Sequence, residues 1–334
     1  GQVIASNEPV ETDAIMESLQ MTADNAAIAT DEIAEIMVKI KVPGTSANIG
    51  PGFDTLGLAL NIFNEITVEK KNSGIEVLWD IPNPNIPLED NLVYVALVHT
   101  LKKYKKEDLG CTVRMTKVDI PISRGLGSSA AAIVCGIYAA HYLMDYSLST
   151  KDIVNIATEL EGHPDNVAPA ILGNMILSVM TGDSVLYSKI DFPEEIKFNV
   201  LIPNFKLSTE KARSVLPGSY STADCVSNAS RLALMLNFLK EKRYNDLRVC
   251  LEDKIHQPYR FELINNSLDI FEKSKELGAL GEFISGAGPT LITWVDKNEE
   301  SYKKELQKYL DTLDDKWEIK DLTINTTGTI IEEI

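Results

Sequence analysis

The stretch VDIPISRGLGSSAAAIVCGIYAA, Val118 to Ala140, runs from a strand-like lead-in through two glycines and two serines into a long helix of small residues. At a helix start the first backbone amides lack partners within the helix, and the helix dipole adds positive potential there. Glycine tolerates positive φ and lets the chain approach a ligand closely. RGLGSSAAA is therefore suited to holding a phosphate at the helix N-terminus. Ser128 and Ser129 add hydroxyls that can donate to phosphate or ligate a divalent cation.

The surrounding chain has 334 residues, enough for two domains. No apolar run approaches the roughly 18–20 residues that span a bilayer, and the N-terminus lacks the basic and apolar regions of a secretory signal. Cys111, Cys135, Cys225 and Cys250 lie far apart with no CxxC pairing, which predicts reduced thiols in a cytoplasmic protein, not a zinc site. The net charge is −17, which opposes non-specific nucleic-acid binding but leaves room for a local positive pocket that takes a small anion.

Residues 1–36 hold eight of the 49 acidic residues and none of the 32 Lys and Arg. They read as an acidic extension or leader, dispensable for chemistry, with two short stretches that could be helical. A compact domain is expected over 37–195 and a second over 196–334. Strands are expected at MVKIKV, NEITVEK, TVRMTKVDI, KFNVLIPN and TLITWVD, and in the terminal WEIKDLTINTTGTIIEEI. Helices are expected at LVYVALVHTLKKY, KDIVNIATELEG, ADCVSNASRLALMLNFLKEK and INNSLDIFEKSKELG. The prolines of IPNPNIPLEDN predict an irregular loop.

Three readings of the glycine loop compete. A Walker loop needs GxxxxGK[ST], and no lysine follows these glycines. Gly125, Gly127 and Ala130 fit the dinucleotide pattern GxGxxG/A, but the acid that should end the next strand is missing, since residues 141–150 read HYLMDYSLST. The third pattern is PxxxGLGSSAA, matched by Pro121, Gly125, Leu126, Gly127, Ser128, Ser129, Ala130 and Ala131. A ligand-free capping turn is the bland fourth possibility. KVPGTSANIGPGFDTLGLAL and ISGAGPTLITW flank the loop in the order that, with PxxxGLGSSAA, resembles the three motifs of the GHMP small-molecule kinases. PGTSANIGPGFDTLGLAL and LEGHPDNVAPAILG resemble the homoserine kinase branch of that family, and the resemblance covers nearly everything after Met37.

The resemblance implies an α+β, two-domain GHMP kinase fold. Its N-terminal, ATP-binding domain would be like domain 2 of ribosomal protein S5. Its C-terminal domain would be ferredoxin-like. A left-handed βαβ crossover is part of that expectation and runs against the usual rule. The implied reaction moves the γ-phosphoryl group of ATP onto the side-chain hydroxyl of L-homoserine, on the route to threonine. ATP with Mg2+ and L-homoserine are the implied ligands, with no nucleic acid and no membrane partner, and a homodimer is the family expectation.

The resemblance puts ATP on Pro121, Ile122, Ser123, Arg124, Gly125, Leu126, Gly127, Ser128, Ser129, Ala130 and Ala131, with Asn91 near the base. It puts the metal on Ser129 and Glu161, with Glu159 as competitor on the same helix. Arg124 and Ser123 depart from the small residues usual there; Arg124 either adds a phosphate contact or faces solvent. Asn48 and Asp54 match the positions that hold the acceptor's ammonium, although Asp54 could instead cap a helix over TLGLAL. Arg213 and Arg260 stand where the family's two substrate arginines bind the carboxylate. His163 either orients the substrate or is a structural histidine, and His256 is expected to be structural. Asp165 is adjacent to the site but lacks the lysine that would make a base pair, so transfer without an enzymic base is expected. Rival readings are a mevalonate, phosphomevalonate or sugar kinase, a non-catalytic sensor of the same fold, and a NAD-dependent oxidoreductase.

Overall fold

The computed structural model describes residues 36–334; the expectation for residues 1–36 lies, but for Ile36, outside the described residues. The first sheet begins with β1 (Val38–Ala47), whose Val38, Ile40 and Val42 are fully buried on alternate positions. It pairs antiparallel with β2 (Leu56–Lys71). TLGLAL opens this strand, so Asp54 caps no helix there. Leu56, Leu58 and Leu60 alternate with Gly57 and Ala59, a period of two. The small residues between them have a purpose, because a Cβ on Gly57 would fall on the Asp165 carbonyl of a helix packed over the strand.

β3 (Ile75–Trp79) leads through the proline-rich loop to α1 (Leu92–Lys103) and then β4 (Gly110–Val118), which pairs parallel with β3. The glycine loop follows and feeds α2 (Ser128–Leu143), whose Ala130, Ala131, Ala139 and Ala140 are buried. α3 (Thr150–Glu161) starts with a Ser149–Asp152 capping box and stops at Gly162, φ 98°. Pro164 sits at the first position of α4 (Pro164–Leu172), where its missing N–H costs nothing. β5 (Met175–Thr181) and β6 (Ser184–Ile190) form a hairpin that joins the sheet through Leu56–Leu58.

The second unit starts with β7 (Ile196–Pro203), followed by α5 (Thr209–Ser214), α6 (Thr222–Glu241), α7 (Leu247–Cys250), α8 (Gln257–Arg260) and α9 (Ser267–Glu276). Then come β8 (Gly281–Ile284), β9 (Leu291–Asp296), α10 (Tyr302–Leu310), β10 (Trp317–Leu322) and β11 (Ile330–Glu333). The strand order β10-β7-β9-β8 is ferredoxin-like. The last strand leaves this unit. β11 pairs antiparallel with β1, so residues 330–333 complete the first sheet, and a boundary after residue 195 does not sever the chain into two contiguous pieces.

The second sheet is buried on both faces. Leu201, Leu291 and Val295 pack against Tyr302, Leu306 and Leu310 of α10. Phe198, Val200 and Trp294 face the other way and merge into the large core beneath the first sheet. Trp294 lies edge-on to Phe192 and Phe283, with ring centroids 5.3 and 5.5 Å away. The two layers thus share one core. Trp294→Ala is expected to cost about 3–5 kcal/mol, read as a lowered denaturant midpoint; a midpoint like that of the unmutated protein would mean that the shared core does not hold the layers together.

Candidate active site

One cleft of about 400 Å3 runs between the two units, and most of the residues singled out in the sequence line it. Its floor is the glycine loop. Gly125 and Gly127 have φ of 80° and 73°, and Gly127 is the N-cap of α2 with no side chain capping the helix. The first amide to bond within the helix is that of Ala131, to the Gly127 carbonyl, so the amides of Ser128, Ser129 and Ala130 precede the ladder. Both glycines are forced by close approach. A Cβ on Gly125 would fall on the Ser285 carbonyl, and one on Gly127 would fall on the Thr45 hydroxyl.

Each of the three motifs touches the others. The Ser285 hydroxyl donates to the Gly125 carbonyl at 2.6 Å, and the Gly286 amide donates to the Ala47 carbonyl at 3.0 Å. The Thr45 amide donates to the Leu126 carbonyl at 3.0 Å, and the Thr45 hydroxyl donates to Asn166 at 2.8 Å. Arg124 is half-buried at the edge of the cleft and tied to backbone carbonyls. Its Nε donates to the Pro203 carbonyl and its Nη1 to the Ile122 carbonyl, each at 3.0 Å, which ties the loop to β7.

Beside the loop, the Ser129 hydroxyl donates to Glu161 Oε2 at 2.9 Å. Burial raises the Glu161 pKa against the lowering effect of that bond. Glu159 points elsewhere and pairs with Lys103 at 2.8 Å on the surface. Ser129 and Glu161 therefore put two hard oxygen donors together at the mouth of the phosphate loop, a donor set that fits Mg2+.

At one end the cleft is apolar, with Trp79, Ile86, Leu92, Met115 and Val118 around Asn64 and Asn91. Asn91 is the N-cap of α1 and accepts from the Val93 amide at 3.0 Å, while Asn64 accepts from the Ile120 amide at 3.1 Å. Both side-chain oxygens are thus engaged by backbone amides.

The other end is charged. Arg213 grips Asp54 with two bonds, Nη2 to Oδ1 at 2.7 Å and Nη1 to Oδ2 at 3.1 Å, and this raises the Arg213 pKa. His163 Nδ1 lies 2.5 Å from Asp165 Oδ1, a bond that raises the histidine pKa. Arg260 is 1% exposed and held by the Ala212 carbonyl and by His256 Nδ1, both at 3.1 Å. Burial lowers its pKa to about 10, with the Arg213 charge adding to the effect, so it remains a cation at neutral pH. Asn48 points inward. Its Nδ2 donates to the Gly286 carbonyl and its Oδ1 accepts from the Asp54 amide, both at 3.0 Å, so its side chain shapes the loop. Asn48, Ile49 and Gly50 all have positive φ, a conformation that costs non-glycine residues and that these bonds hold in place.

Sequence reasoning missed Phe53. Its ring stacks on His256 at 5.2 Å and lies 5.5 Å from the guanidinium carbons of both Arg213 and Arg260. The signal was present in GPGFD, one residue before Asp54, but no pattern rule marks an aromatic as a shelf for two arginines.

Residues 91–174 match the model of the GHMP kinases N terminal domain, and residues 234–311 match that of GHMP kinases C terminal. A homoserine kinase of Clostridium novyi is 48% identical over 295 residues, covering 88% of this chain and 99% of that protein. The chain belongs to the homoserine kinase family of GHMP kinases. Another homoserine kinase, of Clostridium kluyveri, is 44% identical over 297 residues, which is 89% of this chain and 99% of the relative. Among solved structures, the crystal structure of homoserine kinase from Cytophaga hutchinsonii superposes with a TM-score of 0.81 at 26% identity, covering 90% and 98% of the two chains. For this kinase family member, the cleft between the units is the place where the three motif segments converge.

Two predictions follow from the packing of the site. Gly125→Ala puts a Cβ against the Ser285 carbonyl at positive φ and should cost about 1–3 kcal/mol while weakening ATP binding in a thermal-shift titration; unchanged binding would mean that the loop tolerates the wider spacing. His256 has its pKa pushed down to about 4 by complete burial, opposed by Asp253 and aided by Arg260. It is neutral when folded, so the unfolded chain binds the extra proton between its ordinary value near 6.5 and about 4. Stability should fall as pH falls through that window, and His256→Gln should flatten that part of a plot of Tm against pH.

Proposed function

We propose that this enzyme transfers the γ-phosphoryl group of ATP to the side-chain hydroxyl of L-homoserine, giving ADP and O-phospho-L-homoserine, a step of threonine biosynthesis. The observation that carries the reading is that one cleft is lined by an apolar group, a glycine loop with open amides, an oxygen pair and a charged cluster. A nucleotide, its phosphates and a zwitterionic acceptor need those features side by side.

In this reading the base lies among Trp79, Met115 and Asn91, and the triphosphate lies along the loop from Pro121 to Ala131. The amides at the start of α2 donate to phosphate oxygens. Ser129 and Glu161 hold Mg2+, which supplies charge neutralisation at the phosphates when bound. The acceptor's ammonium goes to Asp54 and its carboxylate to Arg213 and Arg260. Asn48 fixes Asp54, and His163 fills the wall beside it. Phosphoryl transfer is mostly alignment and charge stabilisation, so no enzymic base is required, and Asp165 serves to orient His163. Residues 37–195, completed by β11, form the nucleotide-binding domain, and the remainder of 196–334 forms the second domain. A cytoplasmic homodimer belongs to the same reading. No helix among the described residues is long and apolar enough to cross a membrane.

A coupled ADP-release assay with MgATP, run with L-homoserine, mevalonate and galactose, tests the reading. Turnover is expected with homoserine. Arg260→Ala should lower kcat/KM for homoserine by about a hundredfold or more, the cost of removing one partner of a buried charged contact. Turnover with another acceptor in its place would leave the phosphate loop assignment standing and overturn the acceptor subsite; ATP binding without any turnover would favour a sensor. Asp165→Asn should keep kcat within about tenfold. A folded Asp165→Asn enzyme whose kcat falls by about a hundredfold or more with KM unchanged would overturn transfer without an enzymic base.

A further inference from the structure

We propose that the Asp54–Arg213 ion pair is a charge lock on the acceptor pocket, opened by a molecule that carries a carboxylate and an ammonium together and kept shut against either charge alone. The inference rests on the acceptor subsite described under Proposed function and concerns how that subsite rejects other alcohols.

The two groups assigned to opposite ends of the acceptor are bound to each other. Both guanidinium nitrogens at the Arg213 tip and both Asp54 oxygens are used, and the side chains are only 38% and 34% exposed. Asp54 and Arg213 already serve as each other's counterion, while Arg260 is held by carbonyls and the neutral His256 ring. A carboxylate alone can take Arg213 only by leaving Asp54 unpaired, and an ammonium alone leaves Arg213 unpaired. A half-buried charge without a partner is costly. A zwitterion replaces one ion pair with two and leaves no charge bare.

The two partners differ in freedom. Asp54 is fixed, with its backbone at φ 57° and its amide bonded to Asn48, which is itself bonded to Gly286. Arg260 is fixed by Ala212 and His256. Arg213 projects from α5, a six-residue helix in which Ala212 alone is buried. Arg213 is therefore the bolt. The Phe53 face lies 5.5 Å from both guanidinium carbons and gives Arg213 a surface along which to swing from Asp54 toward Arg260. Two guanidiniums side by side repel, and an acceptor carboxylate between them removes that repulsion.

Three alcohols with the same reacting end test the lock: L-homoserine, 4-hydroxybutyrate, which lacks the ammonium, and 3-aminopropan-1-ol, which lacks the carboxylate. In the unmutated enzyme, either truncation should lower kcat/KM by about a hundredfold or more. Asp54→Asn frees Arg213, so kcat/KM for 4-hydroxybutyrate should rise above its value in the unmutated enzyme while that for homoserine falls. Arg213→Gln frees Asp54, so 3-aminopropan-1-ol should gain while homoserine falls. A measurement on the unmutated enzyme needs neither variant: added methylammonium should raise turnover of 4-hydroxybutyrate by supplying the missing counterion. If both truncated acceptors lose activity in parallel with homoserine in both variants, and methylammonium has no effect, the charges are independent subsites and the lock is refuted. If the unmutated enzyme turns over another alcohol but not homoserine, the functional reading itself has failed and the lock falls with it.

Discussion

The turn SGAGP, Ser285 to Pro289, seated against the glycine loop is the contact on which the site depends. Ser285 is fully buried and donates to Gly125, Thr290 donates its amide to the Arg124 carbonyl, and Gly286 donates to Ala47. These bonds join the second sheet to the phosphate loop and to the first motif. The same turn supplies the Gly286 carbonyl that accepts from Asn48 and, at 3.4 Å, from Arg260. One backbone turn thus fixes the glycine loop on one side and the charged end of the cleft on the other. The absence of a side chain at Gly125 is what lets the two backbones meet, since a Cβ there would fall on the Ser285 carbonyl.

Around this turn the site is built in two grades of rigidity. Arg260, His256 and Asp253 form a buried relay: Asp253 accepts from the His256 and Gln257 amides, His256 Nε2 donates to the Gly50 carbonyl, and its Nδ1 accepts from Arg260. These partners assign His256 as the neutral tautomer protonated at Nε2. Arg213 and the stretch that carries it are more exposed and less tied. A site of this kind holds one anchor still and leaves one group able to exchange partners, which suits a ligand that must displace an internal ion pair to bind.

Much of this was legible in the sequence because short-range rules govern it. The glycine loop announces a helix N-terminus with open amides, and no Walker lysine follows it. Val38, Ile40 and Val42 announce a strand. The spacing of KDIVNIATELEG announces α3, and its closing glycine, Gly162, announces the end. The candidates Ser129, Glu161, Asp54, Arg213 and Arg260 were recoverable from motif resemblance, and the cleft brings them together. TLGLAL was ambiguous because a short apolar run satisfies helix and strand patterns alike; burial on both faces, with α4 lying over Gly57, made it a strand.

The sequence alone determined the chemistry available: an anion-binding loop, a pair of hard oxygens, two arginines and an aspartate. Tertiary structure decided how these charges meet. Arg213 and Asp54 are 159 residues apart, and only the approach of the two units makes them partners instead of separate subsites. Arg124 is tied to two carbonyls, one of them on β7, a contact that no local pattern around the glycine loop announces. β11 returned to the first sheet because β1 left an open edge, and no local signal in the terminal residues says which sheet they complete. Propensity and motif act over a few residues, whereas the pairing of charges and strand edges depends on which distant segments burial brings into contact.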